Sequence, residues 1–304
     1  MNVFSPTWRV PDPSGVAVGV FDGVHRGHVT VIQRLVAQCQ ERGVIPGVLT
    51  FDPHPVEVLA PAQAPPLLTR IDRRIELLHE LGIQWVGVLD LRDIRLMSPE
   101  EFVTAVLVAK ANSRVVSVGA DFRFGHDRAG DVTTLVELGE RHGFDVAAVD
   151  LVADEEGIIS STRIRQLIIA GHVAEAAELL GRPHRVSGVV IRGDARGRTL
   201  GYPTANLPLP AGLAVPADGI YAVRVRGAIE ADGVASLGVR PTFGTSGVRL
   251  LEVHVFDFSG DLYGKTLDVD FVARLRGEER FDSVEALIDQ MDKDALTARE
   301  ILGG

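Results

Sequence analysis

Two hydrophobic rhythms divide the chain. In the first half, Val16–Val20, Ile45–Phe51, Trp85–Leu89, Val115–Val118 and Val146–Val149 are short, nearly continuous apolar runs rich in valine, the pattern of strands buried on both faces. Between them the apolar positions take helical spacing. Across Gly27–Arg42, Val31, Leu35 and Cys39 recur every four residues beside Ile32 and Val36, and Gly43 supplies a stop. Asp72–Leu81 and Pro99–Lys110 read the same way, the second with Ser98 as cap and Pro99 at the first helical position. Strand alternating with helix predicts a parallel sheet covered by helices on both faces. Ligands of such sheets lie at the carboxyl ends of the strands, near the point where strand order reverses.

After about Gly181 the rhythm shortens. Arg185–Arg192, Gly219–Arg226, Val234–Gly238, Leu250–Asp257 and Thr266–Leu275 are β-like runs punctuated by glycine and proline, which predicts a small antiparallel barrel or sandwich. The tail, Ser283–Arg299, returns to helical spacing with Ser283 as its cap. The change of texture near Gly181–His184 predicts two domains, 1–182 and 183–304, which suits a chain of 304 residues.

Composition narrows the function classes. A formal net charge of −10 gives no general attraction to nucleic acid, so phosphate-bearing ligands must be held by local groups. The single cysteine, Cys39, excludes an intramolecular disulfide and fits a reducing compartment. No apolar run of signal-peptide length occurs in Met1–Pro13, and none reaches the ~18 residues of a membrane span. The expectation is a soluble cytoplasmic protein without nucleic-acid or membrane partners, a monomer or a weak homo-oligomer.

The chemistry-bearing residues follow strands. Phe21-Asp22-Gly23-Val24-His25-Arg26-Gly27-His28 closes the first apolar run and opens the first helix. Glycine lets backbone approach a phosphate, a helix N-terminus offers N–H groups and positive potential, and two imidazoles three residues apart can donate to a phosphate chain. A metal pair or ordinary surface histidines are the competing readings, and no Cys/His cluster supplies the further ligands zinc takes. Ser160, Ser161, Thr162, Arg163 and Arg165 follow the last strand of this half, either as a second phosphate grip or as a capped helix with solvated arginines. Thr50-Phe51-Asp52-Pro53-His54-Pro55 and Gly119-Ala120-Asp121-Phe122-Arg123-Phe124-Gly125 follow two other strands. Phe122 and Phe124 suit a flat ring or the core equally.

In the second half, Gly193 to Gly201 is a glycine- and arginine-rich turn, followed by Tyr202-Pro203-Thr204-Ala205-Asn206. The turn lacks the Gly-Lys-Ser/Thr ending of a Walker loop and reads as a phosphate cradle or a plain hairpin loop. Thr204 and Asn206 share a face if extended and carry hard oxygen donors suited to Mg²⁺. Glu252, His254 and Asp257 lie on one alternating run, each a candidate general base or a solvated polar residue.

Taken together, GVFDGVHRGH, TFDPHP, VGADFRFG and ISSTRIR resemble, in order and spacing, the N-terminal module of bacterial bifunctional riboflavin kinase/FAD synthetases. GRTLGYPTAN, PADGIYAV, GVRPTFG, LEVHVFDF, DLYGK and RLRGEERF resemble the riboflavin kinase module of the same family. The resemblance implies a Rossmann-like nucleotidyltransferase domain with a parallel sheet, then a six-stranded antiparallel barrel with a trailing helix. It implies ATP-dependent phosphorylation of riboflavin to FMN and adenylylation of FMN to FAD, with Mg²⁺ as cofactor. By resemblance, His25, His28 and Arg163 act in adenylyl transfer, with Gly19, Phe21, Gly27, Ser161, Thr162 and Arg165 around ATP. His54, Asp121, Phe122 and Phe124 would lie by the flavin there. In the kinase module, Gly193, Arg196, Gly197 and Gly201 would surround ATP, Thr204 and Asn206 would bind Mg²⁺, Glu252 would be the base and Arg276 would lie near the flavin.

The chain departs from the family where many members carry asparagine instead of Val20, where some carry it instead of Asp121, and at Ser236-Leu237-Gly238, where Asn-Ile-Gly is usual. Three other readings stand beside the bifunctional one: a riboflavin kinase with a degenerate first site, a flavin-binding regulator, and a nucleotidyltransferase for another cofactor. The first would make FMN without FAD. The second has no need of so many chemical groups, and the third leaves the second half unexplained.

Overall fold

In the computed structural model, residues 2–4, 8–193, 197, 201–240 and 248–303 are described. By contacts the chain divides into two compact units, Met1–Ser161 and Thr162–Gly304.

The first unit is built on six parallel strands: β1 (Asn2–Phe4), β2 (Ser14–Val18), β3 (Ile45–Phe51), β4 (Trp85–Leu89), β5 (Ser113–Gly119) and β6 (Asp145–Val149). Their order is β1-β4-β3-β2-β5-β6, so strand order reverses between β2 and β5. Both faces of each central strand are apolar for a visible reason. Val16, Val18, Leu49 and Trp85 enter one core cluster, while their neighbours Ala17, Val48 and Val86 enter the cluster on the other face. Gly47 is required where it stands, because a Cβ there would overlap the Trp85 indole.

Helices cover the sheet: α1 (Arg26–Arg42), α2 (Pro55–Leu59), α3 (Ile71–Glu80), α4 (Leu91–Ile94), α5 (Pro99–Phe102) and α6 (Val132–His142). As the spacing predicts, α1 buries Val31, Ile32, Leu35 and Cys39 and ends at Gly43 in the left-handed region, φ 64°. Ser98 and Glu101 form a reciprocal capping box at α5. The helix predicted over Pro99–Lys110 continues beyond Phe102 as π-helix, with Ala111 N–H reaching back to Val106 O at 2.9 Å. An apolar period alone does not separate this wider turn from an α-turn. A two-stranded hairpin, β7 (Ala153–Asp154) and β8 (Gly157–Ile158), precedes α7 (Ser161–Ala170).

In the second unit, α8 (Val173–Leu180) packs against the last of six antiparallel strands. The strands are β9 (His184–Val189), β10 (Ala205–Pro208), β11 (Gly219–Gly227), β12 (Ala231–Arg240), β13 (Val248–Val255) and β14 (Thr266–Arg276), in the order β10-β13-β12-β11-β14-β9. The two edges meet beyond β9, where Ile191 N–H donates to Asn206 O at 2.9 Å, so the sheet nearly closes into a barrel. The closing helix α9 (Val284–Leu302) is capped by Ser283 and seats Ala298 and Leu302 against Ala222 and Phe256. Both predicted layers are therefore present, a parallel α/β unit and an antiparallel barrel with a trailing helix.

Candidate active sites

The segment after β2 leaves the sheet at its point of reversal, flanked by the segments after β3 and β5. Its backbone is sharply folded. Phe21 (φ 52°), Gly23 (φ 85°) and Val24 (φ 40°) are all left-handed, which turns Asp22 inward and presents His25 at the head of α1. The Asp22 carboxylate, in a residue 1% exposed, accepts Leu68 N–H through both oxygens (2.9 and 3.0 Å) and Thr69 N–H at 3.0 Å. Gly23 N–H donates to Thr69 Oγ1 at 3.0 Å. Thr50 Oγ1 donates to Val20 O at 2.8 Å, so the visible contribution of Val20 to this loop is its carbonyl.

His25 is the N-cap of α1 and is buried. Its ring stacks on His28 with centroids 3.6 Å apart and planes 21° from parallel. Phe21 meets His28 edge-on at 5.2 Å. Gly27 lets the His25 ring fold back, since a Cβ at Gly27 would stand 3.1 Å from it. Sequence order thus becomes a compact pair of imidazoles at a positive helix end.

Ser161 opens α7, and its hydroxyl donates to Asp22 O at 2.9 Å. Within the first unit this ties Ser161 to the His-x-Gly-His loop. Thr162, Arg163 and Arg165 follow along α7; Thr162 is exposed and Arg165 buried. His54 caps α2, its Nδ1 accepting from Val56 N–H at 3.2 Å, which fixes the proton of the neutral ring at Nε2. Asp121 is exposed. Phe122 is half-buried and lies 5.5 Å from Phe124, nearly parallel. Phe124 itself is a core residue, packed against Phe102 and over Gly130.

The second cluster forms where β10 and β13 pair. Register places Asn206 opposite Glu252, and Glu252 opposite Ser236 of β12. The Thr204 hydroxyl donates to Glu252 Oε2 at 3.2 Å. Asn206 is buried, and its Nδ2 donates to Thr204 O at 3.4 Å. A Cβ at Gly193 would fall 2.7 Å from the Asn206 amide, so glycine permits that approach. Gly197 O accepts Tyr202 N–H at 2.8 Å, and Gly201 is left-handed at φ 86°. Arg196 lies outside the described residues.

Two competing bases are engaged elsewhere. His254 Nδ1–H donates to Pro203 O at 3.0 Å. Asp257 is gripped by both terminal nitrogens of Arg299, at 2.7 and 2.9 Å, a bond that holds its carboxyl below the usual carboxylate range. Arg276, expected near flavin, forms a fork with Asp294 of α9 (2.7 and 3.0 Å), and Gln290 donates to the same carboxylate at 2.9 Å. That contact raises the Arg276 guanidinium above its ordinary value. Asp22 and Asp294 were not singled out from sequence, because each is defined by a partner distant along the chain.

A parallel α/β unit with a histidine pair at its switch point and a small barrel with a Thr–Asn–Glu cluster define a two-headed phosphate-transferring enzyme. The FAD synthetase family model matches residues 9–163 and the riboflavin kinase family model residues 180–302. The chain belongs to the family of bifunctional riboflavin kinase/FMN adenylyltransferases. It is 39% identical over 290 residues to the Escherichia coli K12 member, covering 95% of this chain and 92% of that one. Identity to the Pseudomonas fluorescens member is 40% over 93% of this chain and 91% of the relative. A crystal structure described as a macrolide-efflux protein from Streptococcus pneumoniae superposes with a TM-score of 0.90 at 35% identity, covering 96% of both chains. Among the described residues no helix is long and apolar enough to cross a membrane. The chain therefore carries both activities of its family, riboflavin phosphorylation and FMN adenylylation.

Proposed function

We propose that the barrel cluster phosphorylates riboflavin and that the switch-point loop of the first unit then adenylylates the FMN formed. The observation that carries the kinase assignment is the Thr204–Glu252 contact at 3.2 Å opposite Asn206. Glu252 takes the proton of the ribityl 5′-hydroxyl as its oxygen attacks the γ-phosphorus of ATP, and ADP leaves. Thr204 and Asn206 offer hydroxyl and amide oxygens, and Gly193 leaves room beside them, a donor set that fits Mg²⁺ bound together with substrate phosphates. When bound, the ion neutralises charge on the transferred phosphoryl group. Gly193, Arg196, Gly197 and Gly201 cradle the nucleotide.

In the second reaction an FMN phosphate oxygen attacks the α-phosphorus of ATP and pyrophosphate leaves. The nucleophile is already ionised at neutral pH, so alignment and electrostatics supply the acceleration. His25 and His28 donate to the phosphate chain from the head of α1. Ser161, Thr162, Arg163 and Arg165 hold the departing phosphates, and Gly19, Phe21 and Gly27 line the nucleotide. His54, Asp121 and the half-buried face of Phe122 receive the flavin, with Phe124 as support behind Phe122. Arg276 lies near the flavin of the kinase site while its fork with Asp294 holds it in place.

The functional boundary is set at 182/183, just before β9 begins at His184. One cysteine and a net charge of −10 support a cytoplasmic enzyme without nucleic-acid or membrane partners, acting as a monomer or a weak homo-oligomer. The test is chromatography of flavins after incubation with riboflavin, Mg²⁺ and ATP. FMN followed by FAD supports both assignments; FMN alone removes the first site, and bound but unconverted riboflavin removes both.

A further inference from the structure

Arg74, on α3, is 1% exposed yet lies outside every motif recognised in the sequence. Its Nη1 donates to Phe51 O at 3.0 Å and to Thr50 Oγ1 at 3.3 Å, and its Nη2 donates to Thr69 O at 3.3 Å. The same Nη2 stands 3.9 Å from Asp22 Oδ1, and that residue is equally buried. Burial pulls the guanidinium below its ordinary value, and the Asp22 and Asp52 carboxylates push it back. Three segments therefore converge on one cation: the loop after β2 through Asp22, the carboxyl end of β3 through Thr50 and Phe51, and the turn at Thr69.

We propose that Arg74 is a positioning residue for FMN adenylylation, locking the Asp22 loop, which leads into His25 and His28, to the carboxyl end of β3. Asp22 transmits the constraint. Its carboxylate faces Arg74, and its carbonyl accepts the Ser161 hydroxyl at 2.9 Å. His25 follows three residues later as the cap of α1. Without the cation, the Asp22 carboxylate keeps its backbone donors but loses the buried positive charge beside it, and Thr50 and Phe51 lose their tie to α3. Donors aimed at a transition state lose most of their effect when displaced by about an ångström, so kcat is the quantity that responds.

The inference rests on the roles assigned to His25 and His28, and the bifunctional chain supplies its own control. Arg74→Met and Arg74→Lys are assayed for FMN adenylylation and riboflavin phosphorylation in the same preparations, with thermal melting of each. The expected result for Arg74→Met is a fall of about 10- to 100-fold in adenylylation kcat, with KM for ATP within about twofold and phosphorylation unchanged. Arg74→Lys, which keeps the charge, recovers most of the rate. Adenylylation kcat within about twofold of the parent in Arg74→Met overturns the proposal, as does a Lys variant no better than Met. If Arg74→Met does not fold, Arg74→Gln, which removes the charge but keeps amide donors, decides. A partial fall in adenylylation kcat at constant KM supports the proposal, and an unchanged kcat overturns it. Failure of the histidine roles is seen separately, as undiminished FAD synthesis by His28→Ala in the presence of intact Arg74.

Discussion

The Thr204 hydroxyl and the Glu252 carboxylate meet at 3.2 Å across two antiparallel strands whose register sets Asn206 directly opposite Glu252. The amide and the carboxylate are thereby fixed by backbone pairing, and the hydroxyl stands one residue before β10 begins. Glu252→Gln keeps the shape and removes the basic oxygen. The expected outcome is a loss of at least about 100-fold in riboflavin phosphorylation, while FMN supplied directly is still converted to FAD. Product analysis with each flavin as starting material separates the two effects, and an undiminished rate of FMN formation removes Glu252 from the role of base.

The stacked imidazoles of His25 and His28, 3.6 Å apart, give the other half its own test. Removing a donor aimed at developing phosphate charge costs roughly 3–4 kcal/mol, so His28→Ala should slow FAD formation about 100- to 1000-fold. Riboflavin phosphorylation should be untouched. Single-turnover assays with FMN and ATP measure the chemical step, and a slowed product release alone would contradict the assignment.

The alternation of β2 to β6 with helices was legible because each central strand is apolar on both faces, as Val16, Ala17 and Val18 illustrate by feeding two clusters in turn. The edge strand Asn2–Phe4 and the hairpin of Ala153–Asp154 with Gly157–Ile158 are too short to hold a period. Helix Val132–His142 carries its own signals in the sequence, since Asp131 caps it and Gly143 ends it. Strand Ala205–Pro208 was hidden by its length and its closing proline. At the sites, residue type and order pointed to His25, His28, Thr204, Asn206 and Glu252. The Asp22–Arg74 pair and the fork between Arg276 and Asp294 depend on folding back, and no local pattern encodes them. Phe124 shows the same limit, since nothing in Asp121–Gly125 says which of its two rings belongs to the core.

That fork fastens the last helix to the barrel. Asp294 is buried, and its carboxylate takes the Arg276 guanidinium and the Gln290 amide together. Asp294→Ala leaves a largely buried guanidinium with only Glu279, 4.0 Å away, as counter-charge, a change worth about 1–3 kcal/mol of lost stability. Denaturant unfolding followed by circular dichroism should show the barrel transition moved to lower concentration. An unmoved midpoint would show that water satisfies Arg276 as well as Asp294 does.

Cys39 is the only cysteine and sits fully buried on the inner face of α1. Burial pushes its thiol up to about 11; the Gly15 backbone and the charge of Arg42 oppose the shift less strongly. The folded value lies above the unfolded one. The neutral thiol's contribution to stability is therefore complete below the unfolded value and is lost as pH rises through about 11. At about pH 8 the native thiol should alkylate orders of magnitude more slowly than the denatured chain. Mass spectrometry of timed alkylation reads this directly, and equal rates would contradict the burial described for α1.

Asn206 has two employments. Its carbonyl takes the Ile191 N–H at 2.9 Å and so fastens the last open edge of the barrel, while its amide belongs to the cluster with Thr204 and Glu252. If Asn206 also holds nucleotide, as proposed, the clasp of the hoop and the grip on phosphate are one residue, and bound Mg²⁺–ATP should slow solvent exchange of the Ile191 amide proton. Equal exchange with and without nucleotide would separate the two.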